Sequence, residues 1–186
     1  MDLAVDQTST GNRWSLDGGL AGWGITPVTD IASSRDVLRQ RRAGRIVTRG
    51  GRLQAVHGRW WPYSGNLLRV QWDMLFPSIA EDRCELFYHV PSSAAGFVTL
   101  AYVHSGPRTS LASCYAATLV LDEIATLKQS NAIVCHVTNR RISDRLLTRW
   151  GWQAHCQHWQ GRHFIKRLYG NYPAIPLQWR KRLTLD

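Results

Sequence analysis

The apolar residues fall into two rhythms that change once along the chain. Runs with strand-like patterning occupy 53–61 (LQAVHGRWW), 67–75 (LLRVQWDML), 84–90 (CELFYHV) and 97–104 (FVTLAYVH). The PSSAAG segment between the last two has turn composition. After Val103 the step lengthens: Ala116, Leu119, Val120, Ile124 and Leu127 recur at three- and four-residue intervals, which predicts a helix over 111–129. Ser110 or Thr109 is placed to cap it and Asn131 to end it. The run AIVCHV (132–137) is then too short for a helix and reads as a strand. Upstream, Ser33 and Ser34 precede RDVLRQRR, a short capped helix by pattern, and Gly50-Gly51 marks a turn. Residues 1–30 are polar and Gly-rich, a loose or partly ordered segment that packs, if at all, through Trp14 and Trp23. These elements predict one domain over 31–170, with an irregular tail over 171–186.

The segment TNRRISDRLLTRWGW (138–152) shows how a strand hands over to a helix. Asn139 follows the strand and is a good N-cap. Ile142, Leu146, Leu147 and Trp150 form an apolar face, while Arg141, Arg145 and Arg149, four apart, form a basic one. Asp144 suits the positive end of the helix dipole, and Gly151 suits a left-handed stop. Trp152 opens another β run, WQAHCQHW, which Gly161 turns back into RHFIKRLY (162–169).

Composition narrows the setting. The 186 residues are 44% hydrophobic, enough for a single core, and carry a formal charge of +10, twenty arginines and three lysines standing against 13 acidic residues. That balance favours anionic partners such as phosphorylated cofactors, nucleic acid or acidic surfaces, and serves solubility as well. Cys84, Cys114, Cys135 and Cys156 lack the close spacing of a metal knuckle and read as free thiols in a reducing, cytoplasmic setting. The first eighteen residues have early acidic groups and no apolar stretch, unlike a secretory signal. Residues 86–107 carry no formal charge, but their prolines, serines and histidines argue for two buried strands and a turn rather than a membrane span.

The order strand, long helix, strand ending in Asn, short helix, Gly-aromatic, strand, strand over 97–169 resembles the C-terminal half of the GNAT acyltransferase superfamily. Its sharpest elements are Asn139 and the helix ending Arg149-Trp150-Gly151-Trp152, with Trp152 where that family has Phe. The resemblance implies an α/β (α+β) fold: a mixed, mostly antiparallel central sheet of about six to seven strands, flanked by helices, in a single domain. It also implies an acyl-CoA-dependent N-acyltransferase in which an amine attacks the thioester of acetyl-CoA directly. Coenzyme contacts are then expected from Val103, Gly106, Arg108, Thr109, Ser110, Ser113, Asn139 and Arg140. Glycine-rich backbone at a helix start suits a pyrophosphate.

Two positions depart from the family pattern. Leu111 stands where the phosphate loop has its first glycine, and Leu147 stands where a tyrosine often protonates the departing thiolate. His136, Cys135 and Tyr169 are alternative proton donors by the expected fold. For the base that takes the amine proton, His104, at a strand end, and Glu85 are the candidates. Each has an ordinary structural role as an alternative. His155, Cys156 and His158 bring only two ligands to one strand face, short of the four a closed zinc site needs, so no metal is expected. The acceptor is a small-molecule or protein amine. Two other readings stand beside this one: a non-catalytic relative that keeps the fold, and a nucleic-acid-binding protein using arginines and GRWWPYSGN (58–66).

Overall fold

The computed structural model describes residues 26–58, 81–137 and 142–186. The run at 67–75, Trp14, Trp23, most of GRWWPYSGN, Asn139, Arg140 and Arg141 lie outside them. The elements are α1 (Arg35–Gln40), β1 (Ala43–Arg49), β2 (Arg52–Gly58), β3 (Arg83–His89), β4 (Phe97–Ser105), α2 (Leu111–Leu127), β5 (Ala132–Val137), α3 (Asp144–Arg149), β6 (Gln153–His155), β7 (Arg162–Arg167) and α4 (Leu177–Arg180), followed by a 3-10 turn, Lys181–Leu183.

Seven strands form one mixed sheet in the order β2-β1-β3-β4-β5-β7-β6. Every pairing is antiparallel except β4 with β5, the two strands joined by α2. The expected fold class, a mostly antiparallel sheet flanked by helices, is therefore present, and the 97–169 elements follow the expected order. Strand β1 is the element that the pattern misses. Its residues AGRIVTR alternate poorly because Ala43, Gly44, Ile46, Val47 and Thr48 are all buried, as befits a strand inside the sheet. The tail also differs from expectation. Helix α4 and the 3-10 turn bury Ile175, Leu183 and Leu185, and Thr184 accepts the Ile31 amide, tying the last residues to the start of the domain.

Period-two alternation and the pairing register sort the side chains onto two faces. Ile46, Leu86, Val98 and Ile133 point toward α2, whose Ala116, Val120, Leu121 and Ile124 are fully buried with them in one core. Two polar links fasten α2 to the sheet. The Thr48 hydroxyl donates to the Ser113 carbonyl at 2.7 Å, and the Lys166 ammonium meets the Asp122 carboxylate at 2.8 and 3.0 Å. The opposite face carries Arg45, His57, Glu85, Phe87, Tyr102 and His104.

Helix α3 starts later than the sequence suggests. Its N-cap is Ser143, whose hydroxyl accepts the Leu146 amide at 3.3 Å, so Asp144 does lie in the first turn but Ile142 precedes the helix. Ser143 supersedes Asn139 as the cap because four residues separate Asn139 from that first turn. The stop is as expected: Gly151 takes φ +85°, and the Trp152 amide returns to the Leu147 carbonyl at 3.0 Å. Trp152 then buries itself, with the Lys166 ammonium 5.4 Å from its ring centre. Strand β6 is shorter than the WQAHCQHW run, ending at His155, because Cys156 turns left-handed at φ +50°.

Candidate functional site

The parallel strands β4 and β5 pair only from Phe97 with Ala132 to Leu100 with Cys135. Beyond that point β4 runs on to Ser105 and β5 to Val137 without pairing to each other. The sheet therefore parts at the C-terminal ends of its two middle strands. His104 stands on the β4 side of the parting and His136 on the β5 side, both on the face opposite α2.

His104 lies directly across from Glu85 in the β3–β4 register. The two candidate bases are thus neighbours, but their surroundings differ. Glu85 is buried, with Oε1 2.6 Å from the Arg83 guanidinium and Oε2 3.4 Å from that of Arg45. Both its oxygens are engaged, which makes it a holder of guanidiniums rather than a group free to take a proton. His104 is half-buried and stacks near Tyr102, with ring centres 6.4 Å apart. Tyr102 in turn meets Phe87 at 6.3 Å.

On the other side of the parting the rings are packed more closely. His136 stacks on His163 at 4.5 Å and 11°, and Trp159 meets His163 edge-on at 5.5 Å. Gly161 allows this: it adopts φ +102°, and a Cβ there would come within 2.3 Å of the His136 ring. His155 faces His163 across β6 and β7, yet among the described residues no three His, Cys, Asp or Glu groups are placed to hold a metal ion.

The loop after β4 is held by its own polar groups. The Gly106 amide donates to the Thr109 hydroxyl at 2.8 Å, and that hydroxyl donates to the Arg83 carbonyl at 2.7 Å. Ser110 caps α2 by accepting the Ser113 amide at 3.1 Å. The Ser110 amide and hydroxyl then donate to the two oxygens of Asp82, at 2.7 and 2.9 Å. A carboxylate thus sits at the positive end of α2, where the family resemblance puts a pyrophosphate. Burial pulls the Asp82 carboxyl upward, but the Ser110 amide, the serine hydroxyls and Arg49 outweigh it and hold the group below the ordinary carboxylate value.

The remaining expected contacts divide clearly. Arg108 is exposed at the loop tip, Val103 is half-buried on the α2 side, and Ser113 is fully buried with its hydroxyl accepting the Gly51 amide at 3.0 Å. Leu111 is 63% exposed beside the capped turn, so its side chain stands out from the loop rather than filling it. Leu147 is a core residue.

Of the alternative proton donors, Tyr169 is at the wrong end. Its amide bonds to the Asn131 carbonyl, at the start of β5 and away from the parting. Cys135 is at the base of the parting, but burial pushes its thiol up to about 12, above an ordinary thiol, so it is a poor acid toward a thiolate. His136 alone of the three lies at the open end. Arg45, Arg83 and Asp82 are the residues that sequence reasoning missed. Arg83 did leave a signal, since it and Glu85 put two charges on one face of an otherwise apolar strand.

No protein-family model and no curated protein matches this sequence. Among solved structures, nourseothricin acetyltransferase overlays 77% of this chain and 98% of its own, with 12% identity and a TM-score of 0.39. At that TM-score the likeness carries no argument about the chemistry.

Proposed function

We propose that this protein is an acyl-CoA-dependent N-acyltransferase that transfers an acetyl group from acetyl-CoA to an amine. The observation that carries the reading is the parting of β4 from β5 after Leu100 and Cys135, with an imidazole on each side. Parted strands leave backbone donors and acceptors on facing edges, and an extended chain with amide groups of its own can pair with them. The pantetheine arm of a coenzyme A thioester is such a chain.

In this scheme the acceptor nitrogen attacks the thioester carbonyl carbon. The new C–N bond forms and the C–S bond breaks. His104 takes the amine proton, and His136 or water gives one to the departing thiolate. Arg108, at the loop tip, is the exposed cation nearest in sequence to the α2 turn and would face the phosphates. Asn139 and Arg140, expected coenzyme contacts from the resemblance, fall outside the described residues. The test is thiol release from acetyl-CoA in the presence of an amine panel. Amine-dependent release, abolished in His104→Gln, supports the reading; no release with any amine contradicts it.

A second reading is favoured by one observation. Asp82 already occupies the helix terminus that a pyrophosphate would use. A chain whose anion site is closed by its own carboxylate would serve as a scaffold that keeps the fold without the coenzyme. The same assay separates the two.

A further inference from the structure

We infer that Cys84 and Cys114 form a hydroperoxide-responsive thiol pair, which closes reversibly into a disulfide and pins the first turn of α2 to β3. This goes beyond the acyltransferase reading and does not rest on it.

The fold brings these thiols together from two different elements. Cys84 is the second residue of β3, and Leu86, two further on, points toward α2, so the strand period of two aims Cys84 the same way. Cys114 lies in the first turn of α2. The Thr48 hydroxyl bridges them: it donates to the Ser113 carbonyl at 2.7 Å, in the peptide that leads into Cys114, and stands 3.5 Å from the Cys84 carbonyl. Asp82, two residues before Cys84, holds Ser110, whose carbonyl accepts the Cys114 amide at 3.2 Å. The backbone at both cysteines is thus tied from two sides, and the thiols hydrogen-bond to each other. The other cysteines are set apart. Cys135 is on β5, two strands from β3, about 10 Å at the usual strand spacing. Cys156 follows β6, at the edge of the sheet.

The two thiols differ in a way that assigns their roles. Cys84 is fully buried, and its bond to Cys114 first, then burial, hold it well above the ordinary thiol value. Cys114 is half-buried, and the bond from Cys84 holds it below that value, against burial and the Asp82 charge. The thiolate is the reactive form of cysteine. Cys114 is therefore the attacking group and Cys84 the resolving one.

The chemistry balances with a hydroperoxide as oxidant. The Cys114 thiolate attacks one peroxide oxygen. An S–O bond forms, the O–O bond breaks, and with the thiol's proton the other oxygen leaves as water, or as an alcohol from an organic hydroperoxide. Cys114 is now a sulfenic acid, oxidised by two electrons. The Cys84 sulfur then attacks the Cys114 sulfur. An S–S bond forms, the S–O bond breaks, and the hydroxyl leaves as water with the Cys84 proton. In a reducing compartment such a bond is transient, because an external thiol restores the pair by exchange.

The test uses the full chain and hydrogen peroxide. Remaining thiols are capped with N-ethylmaleimide in denaturant, and peptides are mapped by mass spectrometry without reductant. The expected result is the loss of two of the four thiols, with Cys84 and Cys114 in one cross-linked peptide pair. The product should run as a monomer on a non-reducing gel and return to four thiols in dithiothreitol. Cys114→Ser should lose no thiol under the same treatment, and Cys84→Ala should carry Cys114 to the sulfinic acid for want of a resolving partner. Melting curves check that both variants fold, and the wild-type map decides without them. Four intact thiols in the folded protein at millimolar peroxide would overturn the inference. So would a cross-link through Cys135 or Cys156, a link between two chains, or a wild-type Cys114 oxidised to sulfinic acid beside a free Cys84.

Discussion

The carboxylate of Asp82 is clamped onto the first turn of α2, taking both the amide and the hydroxyl of Ser110 within 2.9 Å. The contact joins the entry to β3 with the loop that leaves β4, so it fixes the mouth of the proposed site. Asp82→Asn should cost about 1 kcal/mol at neutral pH, as loss of a capping carboxylate does, readable by urea denaturation. The pH dependence follows from the lowered carboxyl. A group lower in the folded than in the unfolded state stabilises above its unfolded value, and that stability is lost as pH falls through the folded value. The wild type should therefore lose the contribution below roughly pH 4 while Asp82→Asn shows a flatter acid limb. Removing the charge should also strengthen coenzyme A binding, by on the order of threefold to fivefold, because the helix terminus no longer holds a competing anion.

Leu147 is 6% exposed in the hydrophobic core, and its carbonyl accepts the Trp152 amide at 3.0 Å, so the larger tyrosine ring would have to displace its neighbours. Leu147→Tyr should destabilise the protein by about 1–3 kcal/mol through overpacking and should bring no gain in kcat. Leu147→Ala should cost about 2–5 kcal/mol. Thermal melting together with the thiol-release assay checks both.

The Asp122–Lys166 pair is buried on both sides and is what fastens α2 to β7. Asp122→Ala leaves the Lys166 ammonium buried and unpaired, and should cost about 3–5 kcal/mol. Replacing both partners by apolar residues of similar volume should recover most of that loss. A double-mutant cycle in urea gives the coupling directly.

His104→Gln should lower kcat by about two to four powers of ten while leaving the melting shift caused by acetyl-CoA unchanged. That split distinguishes a proton-accepting role from a packing role, since loss of packing would lower the melting temperature of the free protein instead.

The C-terminal half was legible because its signals are local. The helical period from Ala116 to Leu127, the AIVCHV run and the Gly151 stop each depend on a few adjacent residues, and each appears where expected. Strand β1 was not legible, since a buried interior strand lacks alternation and Arg35–Gln40 drew the helical reading toward it. At the site, sequence singled out His104, Glu85 and the Ser110 turn. It had no means to show that Asp82 reaches Ser110, 28 residues away, or that Arg45 reaches Glu85, 40 away. Those contacts come from sheet register, which no local pattern encodes.

The central claim, that the acyl donor lies between β4 and β5, is tested most directly by hydrogen exchange with and without acetyl-CoA. The account predicts that backbone amides in 101–105 and 135–137 gain protection when acetyl-CoA is added, and that β1 and β2 do not. Unchanged exchange along both strands at saturating coenzyme, or protection confined to other strands, would contradict it.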